Sequence, residues 1–177
     1  FALLAKHFED SHVPNALPRI LPDDWKGCFA LLAIVFVLSS FLDNIAAALI
    51  GGTMARHVFR GKVHIGYLAA IVAASNAGGS GSVVGDTTTT MMWIDGVSPL
   101  TVLEAFVAAS VALIVFGIPA SLQQHRYSPI VKDAPKGLRI EWPRVIVVAL
   151  ILVIAILANV TANLRYPHLL DVIPVIG

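Results

Sequence analysis

A stretch rich in glycine and hydroxyl side chains, residues 74–95, lies between two apolar segments and restricts how the chain can fold. Glycine at this density disfavours a continuous helix. In a bilayer, backbone that leaves the helix is tolerated only where protein buries it or where it lines a watery cavity. The stretch therefore predicts an interrupted helix over residues 65–96, with half-helices at 65–75 and 87–94.

The composition indicates that the surroundings are a lipid bilayer. Of the 177 residues, 57% are hydrophobic and 13% are charged, and the mean hydropathy is +0.82. Soluble domains carry charge at about twice that density. Several apolar runs approach the ~20 residues that cross a hydrocarbon core, so we expect an all-α membrane protein with further spans at 100–122 and 145–163. The net charge of +1 gives no indication of a nucleic-acid partner.

The ends of the sequence favour a fragment of a single transmembrane domain. The chain begins at Phe1 without a signal-peptide pattern, and residues 172–177 resemble the approach to another span. A proline-containing polar loop is expected at residues 6–26, because proline at that density prevents a continuous helix. The lone cysteine, Cys28, excludes an internal disulfide and a metal site built from several cysteines.

Residues 27–58 are apolar almost throughout but contain Asp43 and Asn44 near their middle. As one helix they would measure about 48 Å, well beyond a ~30 Å hydrocarbon core. Divided at residues 42–44, they give limbs of about 24 Å and 21 Å, each short of a full crossing. This length favours a re-entrant hairpin whose tip reaches the centre of the bilayer, although one long tilted helix also fits. In both arrangements an aspartate lies deep in the membrane, which costs several kcal/mol unless it is paired or hydrated.

Lysine and arginine are concentrated in two connections, residues 56–64 and 123–144, whereas the turn at 95–99 contains neither. One return passage through the membrane separates the two connections, so we expect them on the same side. The positive-inside rule makes that side the cytoplasm. In a bacterium, the membrane would be the inner (cytoplasmic) membrane.

The interruption combines groups that suit a small cation. A broken helix frees carbonyls on one limb and N–H groups on the other, and the partial charges at these ends attract ions. Amide and hydroxyl side chains add neutral oxygens, and the Asp86 carboxylate can exchange a proton for a cation because either one neutralises it. Close helix packing would explain Gly78, Gly79 and Gly81, and an N-cap would explain Asp86. Packing alone leaves the carboxylate and the threonines unexplained.

Two other classes fit poorly. Residues 79–86 are faintly similar to a phosphate-binding loop but lack its Lys-Ser/Thr ending. Intramembrane aspartyl proteases have a Gly-x-Gly-Asp motif and a Tyr-Asp pair, where this chain has Val83-Val84-Gly85-Asp86 and Leu42-Asp43. We therefore expect a membrane transporter and not an enzyme.

Two motifs resemble the ion transporter superfamily, which includes NhaD-type sodium/proton antiporters, arsenite-efflux permeases and citrate or dicarboxylate carriers. They are Ser40-Phe41-Leu42-Asp43-Asn44 and the run from Asn76 to Ile94, and the resemblance covers about residues 27–96. The Gly-Asp-x-Thr-Thr-x-Met-x-Trp run that begins at Gly85 is most similar to NhaD-type antiporters. Arsenite permeases tend to have Gly-Asp-Pro-Pro-Asn there.

The resemblance implies inverted repeats, each with a re-entrant hairpin and an interrupted helix, and a homodimer whose second repeat lies in the same chain. It implies a small inorganic cation or a carboxylate as substrate, Na⁺ and H⁺ as transported or coupling ions, and no organic cofactor. The Ser-Asn-Thr signature of dicarboxylate carriers is present only as Ser75-Asn76-Ala77. By resemblance, the residues that line the site are Asp43, Asn44, Asn76, Gly78, Gly79, Ser80, Gly81, Ser82, Gly85, Asp86, Thr87, Thr88 and Thr89.

These observations predict one repeat of a sodium/proton antiporter that works by alternating access, with Asp43 and Asp86 as the carboxylates for which Na⁺ and protons compete. The alternative is sodium- or proton-coupled citrate or dicarboxylate transport on the same frame. Residues 65–96 contain no basic residue to hold an anion, which favours cation exchange. A membrane scaffold without transport is a third reading. The predicted sodium ligands are Asn76, Ser80, Ser82 and Asp86, with Thr87 completing the coordination.

Overall fold

The described part of the chain consists of helices and connecting turns, without a strand. A computed structural model describes residues 6–7, 10–13, 16, 20–83, 85–130, 132 and 140–165. The all-α class predicted from the composition is confirmed for these residues. The helices with described bounds are α1 (Trp25–Ser39), α2 (Asn44–Val58), α3 (Ile65–Gly79), α4 (Thr87–Ile94), α5 (Pro99–Leu103), α6 (Ala105–Tyr127) and α7 (Trp142–Arg165).

Part of the predicted polar loop is helical. Residues 6, 7, 10, 13, 16 and 20 are in helical conformation, and a turn at Ser11 and His12 interrupts them. His12 has a φ of 60°, in the left-handed region, which a continuous helix does not allow. The described residues of this segment therefore include short helical pieces and do not form one continuous helix.

The segment 27–58 is divided into two short helices. α1 and α2 have 15 residues each, which makes each about 22 Å long, less than a ~30 Å hydrocarbon core. Residues 40–43 lie outside both helices, one or two residues earlier than the division predicted at 42–44. Asp43 ends this interruption and caps α2, because its carboxylate accepts hydrogen bonds from the N–H groups of Ile45 at 2.6 Å and Ala46 at 3.2 Å.

α1 and α2 lie side by side and run in opposite directions. Next to the interruption, the Ser39 hydroxyl is 2.8 Å from Asn44 Oδ1. Further from the interruption, about one turn back in α1 and two turns on in α2, Val35 fills the space beside Gly51. A Cβ atom at Gly51 would lie 2.6 Å from Val35 Cγ2. At both levels a residue of α1 contacts one of α2, and the order along α2 is reversed, as an antiparallel helix pair requires.

Tyr67 joins the far ends of the same two helices to the start of α3. Its buried hydroxyl donates to the Cys28 carbonyl of α1 at 2.5 Å. Its ring packs edge-to-face on Phe59, just beyond α2, with centroids 5.3 Å apart. The start of α1, the end of α2 and the start of α3 therefore lie at one end of the molecule. Between them lies a core formed by Leu31, Leu32, Val35, Ile50, Met54, Val58 and Ile71.

α3 extends one turn further than the sequence predicted. The half-helix was expected to end at residue 75, whereas α3 continues to Gly79, and residues 80–83, 85 and 86 are non-helical. The physical reason is packing. A Cβ atom at Gly78 would lie 2.0 Å from the Phe36 carbonyl of α1, and one at Gly79 would lie 2.2 Å from Asn44 Oδ1. Glycine costs a helix about 1 kcal/mol relative to alanine, but here it lets α3 approach α1 and α2 closely.

The span predicted at 100–122 lies within a longer helical stretch. Within the described ranges, the stretch Pro99–Tyr127, which comprises α5 and α6, is the one segment long and apolar enough to cross a membrane. α6 reaches Tyr127 and so continues into the predicted loop 123–144. α7 begins at Trp142, three residues before the span predicted at 145–163.

Gln124 ties the end of α6 to the connection between α2 and α3. This buried side chain accepts the His64 N–H through Oε1 at 2.8 Å. Its Nε2 donates to the Lys62 carbonyl at 3.0 Å and to the Ser128 carbonyl at 3.1 Å. The connection 56–64 and the start of the 123–144 segment are therefore at the same end of the molecule.

We predict that Gly78→Ala destabilises the full-length protein by about 1–3 kcal/mol, because the new methyl group overlaps the Phe36 carbonyl and must push α3 away from α1. The matched control is Gly52→Ala on α2, where a Cβ atom meets nothing within 4 Å. This control should be neutral or more stable by about 0.5–1 kcal/mol, the cost of glycine in a helix. Thermal unfolding of the two purified variants in detergent measures the difference. Equal transition temperatures would contradict the packing.

Candidate functional site

The two non-helical interruptions meet. The Ser82 hydroxyl donates to the Ser40 carbonyl at 2.5 Å and accepts the Gly85 N–H at 3.2 Å. A Cβ atom at Gly85 would lie 2.1 Å from the Ser39 carbonyl oxygen, so only glycine allows this approach. We name this region, residues 39–44, 75–83 and 85–90, the crossing.

Hydroxyl groups at the end of α1 satisfy carbonyls of α3. The buried Ser39 hydroxyl contacts the Ser75 carbonyl as well as Asn44 Oδ1, and its single proton serves one acceptor at a time. The Ser40 hydroxyl is shared between the Gly78 carbonyl, at 3.0 Å, and a carbonyl of its own helix. The last carbonyls of a helix have no partner within the helix. At the crossing, a neighbouring helix supplies part of what they need.

Two amides continue this network towards the end of α3. Asn44 Nδ2 donates to Asn76 Oδ1 at 3.3 Å, and Asn76 Nδ2 donates to the Val72 carbonyl at 3.0 Å. Asn44 is half-buried and Asn76 is exposed among the described residues. Asn76 lies in the last turn of α3, where the partial negative charge of the helix end attracts a cation.

Both predicted carboxylates are helix caps. Asp43 caps α2 through Oδ1, and Asp86 caps α4 through Oδ1, which accepts the Thr88 N–H at 3.1 Å. Both side chains are half-buried. Among the described residues, neither carboxylate has an ion-pair partner. Each aspartate therefore lies at a helix N-terminus, where the partial positive charge of the helix favours an anion.

The threonine run has two different environments. The buried Thr89 hydroxyl donates to the Ser82 carbonyl and lies 2.9 Å from the Asp86 carbonyl. The buried Thr90 hydroxyl similarly contacts the carbonyls of Val83, at 2.6 Å, and Asp86, at 2.9 Å. Their hydroxyls thus satisfy the non-helical backbone, whereas the side chains of residues 87 and 88 are exposed.

Most of the predicted site residues come together at the crossing. Asn44, Asn76, Ser82 and the glycines at 78, 79 and 85 contact the opposite interruption or the helix beside it. The Ser80 hydroxyl bonds within its own chain to the Ala77 carbonyl at 2.7 Å, and Gly81 packs on the ring of Phe106 in α6. Sequence reasoning missed the roles of Ser39, Ser40, Ser75 and Thr90.

An apolar groove of about 400 Å³ lies beside the crossing, between the end of α1 and the stretch that begins with α5. Phe41, Leu103 and Phe106 form much of its wall, and Ser40 and Ser82 lie at its polar edge. Neither Asp43 nor Asp86 lines it. The groove is therefore suited to apolar groups, whereas the crossing beside it is rich in oxygen atoms.

The polar groups at the crossing offer oxygen donors. Within the described ranges, no three His, Cys, Asp or Glu side chains come together. The oxygens available are those of two carboxylates, neutral amides and hydroxyls, and backbone carbonyls. Oxygen donors of this kind suit hard cations, in contrast to the nitrogen and sulfur ligands that zinc prefers.

The chain is similar in sequence to known membrane transporters. A family model described as "Citrate transporter" matches residues 17–174. The chain belongs to the citrate transporter family. Two relatives from Arabidopsis thaliana are each 36% identical to it. Sodium/proton antiporter 2 matches over 106 residues, 58% of this chain and 24% of the relative. Sodium/proton antiporter 1 matches over 85 residues, 46% of this chain and 15% of the relative.

These matches confirm the resemblance to the ion transporter superfamily. The chain therefore belongs to a family of integral membrane proteins that are secondary transporters. It covers about a quarter or less of the length of the two antiporters. No solved structure matches the chain.

We predict that Ser82→Ala loosens the crossing, because the Ser40 carbonyl and the Gly85 N–H both lose a partner. A buried polar group without a partner costs about 1–3 kcal/mol. Amide hydrogen exchange, followed by mass spectrometry on the full-length protein, should become faster in peptides covering residues 80–90.

The control for that experiment is Ser80→Ala, since the Ser80 hydroxyl bonds only within its own turn. It should leave exchange in the same peptides close to that of the unmodified protein. Equal exchange in the two variants would show that Ser82 does not hold the interruptions together.

Proposed function

We propose that the chain is one repeat of a sodium/proton antiporter, in which Asp43 and Asp86 bind Na⁺ and protons in alternation. The observation that supports this most is the crossing itself. Two interrupted helices meet there, and each interruption ends in an aspartate that has no ion-pair partner among the described residues. The names of the two Arabidopsis thaliana relatives agree with this function.

The proposed membrane placement follows from helix lengths. α1, α2 and α3 share one end of the molecule, and each is about 22 Å long. If that end lies at the membrane surface, the crossing lies well inside a ~30 Å hydrocarbon core. α1 and α2 would then form a re-entrant hairpin, and α3 with α4 an interrupted helix, as in one half of an inverted repeat. The positive-inside rule puts the 56–64 and 123–144 connections in the cytoplasm.

Competition between the two ions follows from the charge of the site. An uncompensated carboxylate inside the bilayer costs several kcal/mol, so each aspartate favours one bound cation or one proton. The N-termini of α2 and α4 stabilise the carboxylates, and the C-terminus of α3 attracts the cation. Asn76, Ser80, Ser82 and Thr87 are proposed as neutral sodium ligands. A site neutralised by either ion can move between the two membrane faces, which is what antiport by alternating access requires.

The whole protein would contain a second repeat in the same polypeptide and would act as a homodimer in the lipid bilayer. In this proposal the chain catalyses no chemical reaction and uses no organic cofactor. Na⁺ and H⁺ are the transported ions. The same fold would present the Asp43 and Asp86 site to each side of the membrane in turn.

We predict that Asp43→Asn and Asp86→Asn each abolish sodium/proton exchange while the protein stays folded. Asparagine caps a helix about as well as aspartate does, so each substitution removes the charge and keeps the cap of α2 or α4. The full-length protein is reconstituted in proteoliposomes that contain a pH-sensitive dye, and a sodium pulse should produce a pH change with the unmodified protein but with neither Asp43→Asn nor Asp86→Asn.

The matched control is Asp95→Asn, since Asp95 is an exposed aspartate just beyond the other end of α4. Exchange should be retained in this variant. Retention of exchange with an unaltered pH profile in Asp43→Asn or Asp86→Asn would rule out the proposed role of that residue.

The family match supports a second candidate, sodium- or proton-coupled transport of citrate or a dicarboxylate. Asp43 and Asp86 would then hold the coupling ion. Residues 65–96 offer no basic side chain to the anion, so the helix N-termini or residues elsewhere in the protein would have to bind it. Uptake of labelled citrate driven by a sodium or proton gradient would favour this function. Citrate-independent exchange would favour antiport, and neither activity would leave a scaffold role.

A further inference from the structure

His64 joins the start of α3 to the end of α6 through both its backbone and its side chain. Its N–H donates to Gln124 Oε1 at 2.8 Å, and its carbonyl accepts the N–H groups of Tyr67 and Leu68, at 2.9 Å and 3.1 Å. Its ring nitrogen Nδ1 accepts the Gly66 N–H at 3.0 Å and so caps α3. The proposed ion site does not use His64, which lies at the end of α3 opposite the crossing.

A histidine cap differs from the usual caps because it depends on protonation. Serine, threonine, asparagine and aspartate cap most helices. A neutral imidazole has one N–H group and one unprotonated nitrogen, and only the unprotonated nitrogen accepts a hydrogen bond. The bond from the Gly66 N–H therefore requires a neutral His64 ring that carries its proton on Nε2. In the imidazolium both nitrogens donate, so the cap is lost and a positive charge is left at the N-terminus of α3, where the helix dipole opposes it.

The described surroundings of His64 supply no negative charge that would compensate an imidazolium. None of the described ion pairs includes His64. From α6, the ring of Tyr127 contacts it edge-to-face, with centroids 5.3 Å apart. At the start of α1, Asp23 pairs with Lys132 and Asp24 caps its own helix. The other titratable or charged side chains in the elements that meet at this end are Arg56, His57, Arg60, Lys62, His125 and Arg126.

The loss of the cap outweighs the one contact that favours a charged ring. Loss of an N-cap shifts the equilibrium between an ordered and a frayed helix start about fivefold. A cation at a helix N-terminus shifts it about threefold further in the same direction. An exposed aromatic ring that contacts a cation returns about threefold, and Tyr127 is 60% exposed. The net effect of protonation is therefore about fivefold towards the frayed state.

We propose that His64 is a pH-sensitive switch that attaches the connection between α2 and α3 to the end of α6. Histidine side chains change their charge between about pH 5 and 8. Above this range the ring is neutral, α3 is capped and the His64 N–H is held against Gln124. Below it, the imidazolium releases the Gly66 N–H, the first turn of α3 frays, and the attachment to Gln124 loosens.

Fraying is confined to the first turn of α3 because Tyr67 is held separately. Its hydroxyl donates to the Cys28 carbonyl, and its ring packs on Phe59. Neither contact involves a group that histidine protonation changes. The switch therefore acts on the attachment between α3 and α6 and leaves the core of the helices in place. It does not depend on which solute the protein carries.

Amide hydrogen exchange of the full-length protein in detergent, at about pH 8 and about pH 5, tests the switch. After correction for the pH dependence of the chemical exchange, peptides covering residues 64–68 should exchange about fivefold faster at the lower pH. His64→Asn should remove this difference and keep exchange slow, because asparagine caps a helix but does not titrate. His64→Ala cannot cap, so it should exchange fast at both pH values.

The matched control is His57→Gln, which removes a histidine from the same end of the molecule. His57 Nδ1 lies 2.8 Å from the Thr53 carbonyl and so donates there, which the imidazolium and the neutral Nδ1–H form both do. This variant should keep the fivefold difference. If His64→Asn does not fold, His64→Ser replaces it, since serine also caps. A fivefold difference that persists without the His64 ring, or no difference in the unmodified protein, would overturn the proposal.

Discussion

The structure depends on one requirement, that every backbone polar group removed from water must have a partner. Two helix interruptions side by side expose many such groups, and an unpaired group in hydrocarbon costs several kcal/mol. The hydroxyls of Ser39, Ser40 and Ser82 satisfy carbonyls across the contact, and the Thr89 hydroxyl satisfies one within it. Neither interruption is satisfied by its own residues alone. The two interruptions therefore stabilise each other, and this explains why they lie together.

Close packing and polarity at the crossing come from the same residues. Gly78 and Gly85 bring backbone against backbone, next to the carbonyls of Phe36 and Ser39. Only at that distance can the hydroxyl of Ser82 reach across to the other interruption. The glycines thus make the polar contact possible, and the polar contact in turn fixes the end of α2 where Asp43 is the cap. The carboxylate that binds the ion in the proposed mechanism is also part of the framework that positions it.

Much of this arrangement could be predicted from sequence, and the errors have a common cause. The length of residues 27–58 compared with the hydrocarbon core predicted a division within two residues of the observed one, because that argument uses only distances along the chain. The end of α3 was placed four residues too early, because Gly78 and Gly79 were interpreted by their helix propensity. Their packing partners, Phe36 and Asn44, are distant in sequence, and such tertiary contacts override propensity.

In the candidate site too, features that depend on local sequence could be predicted, and contacts between distant residues could not. The sequence predicts both aspartates as site residues, since a carboxylate in an apolar segment is conspicuous, and this stays a prediction. The expected cap at Asp86 is confirmed. The roles of Ser39 and Ser40 were missed, because their acceptors at residues 75 and 78 lie 36 and 38 positions away. Two adjacent serines directly before a predicted interruption were the available signal. Hydroxyl groups at such positions can satisfy the carbonyls of a neighbouring helix.

The central claim is that the two interruptions meet within the membrane and form a site that binds a cation. A cryo-electron microscopy map of the full-length protein in lipid nanodiscs with sodium tests it most directly. The account predicts residues 40–43 and 80–86 in contact, near the middle of the bilayer, with ion density between the Asp43 and Asp86 carboxylates and the end of α3. A map in which either segment is a continuous helix, or in which the two lie apart at the headgroups, would contradict it.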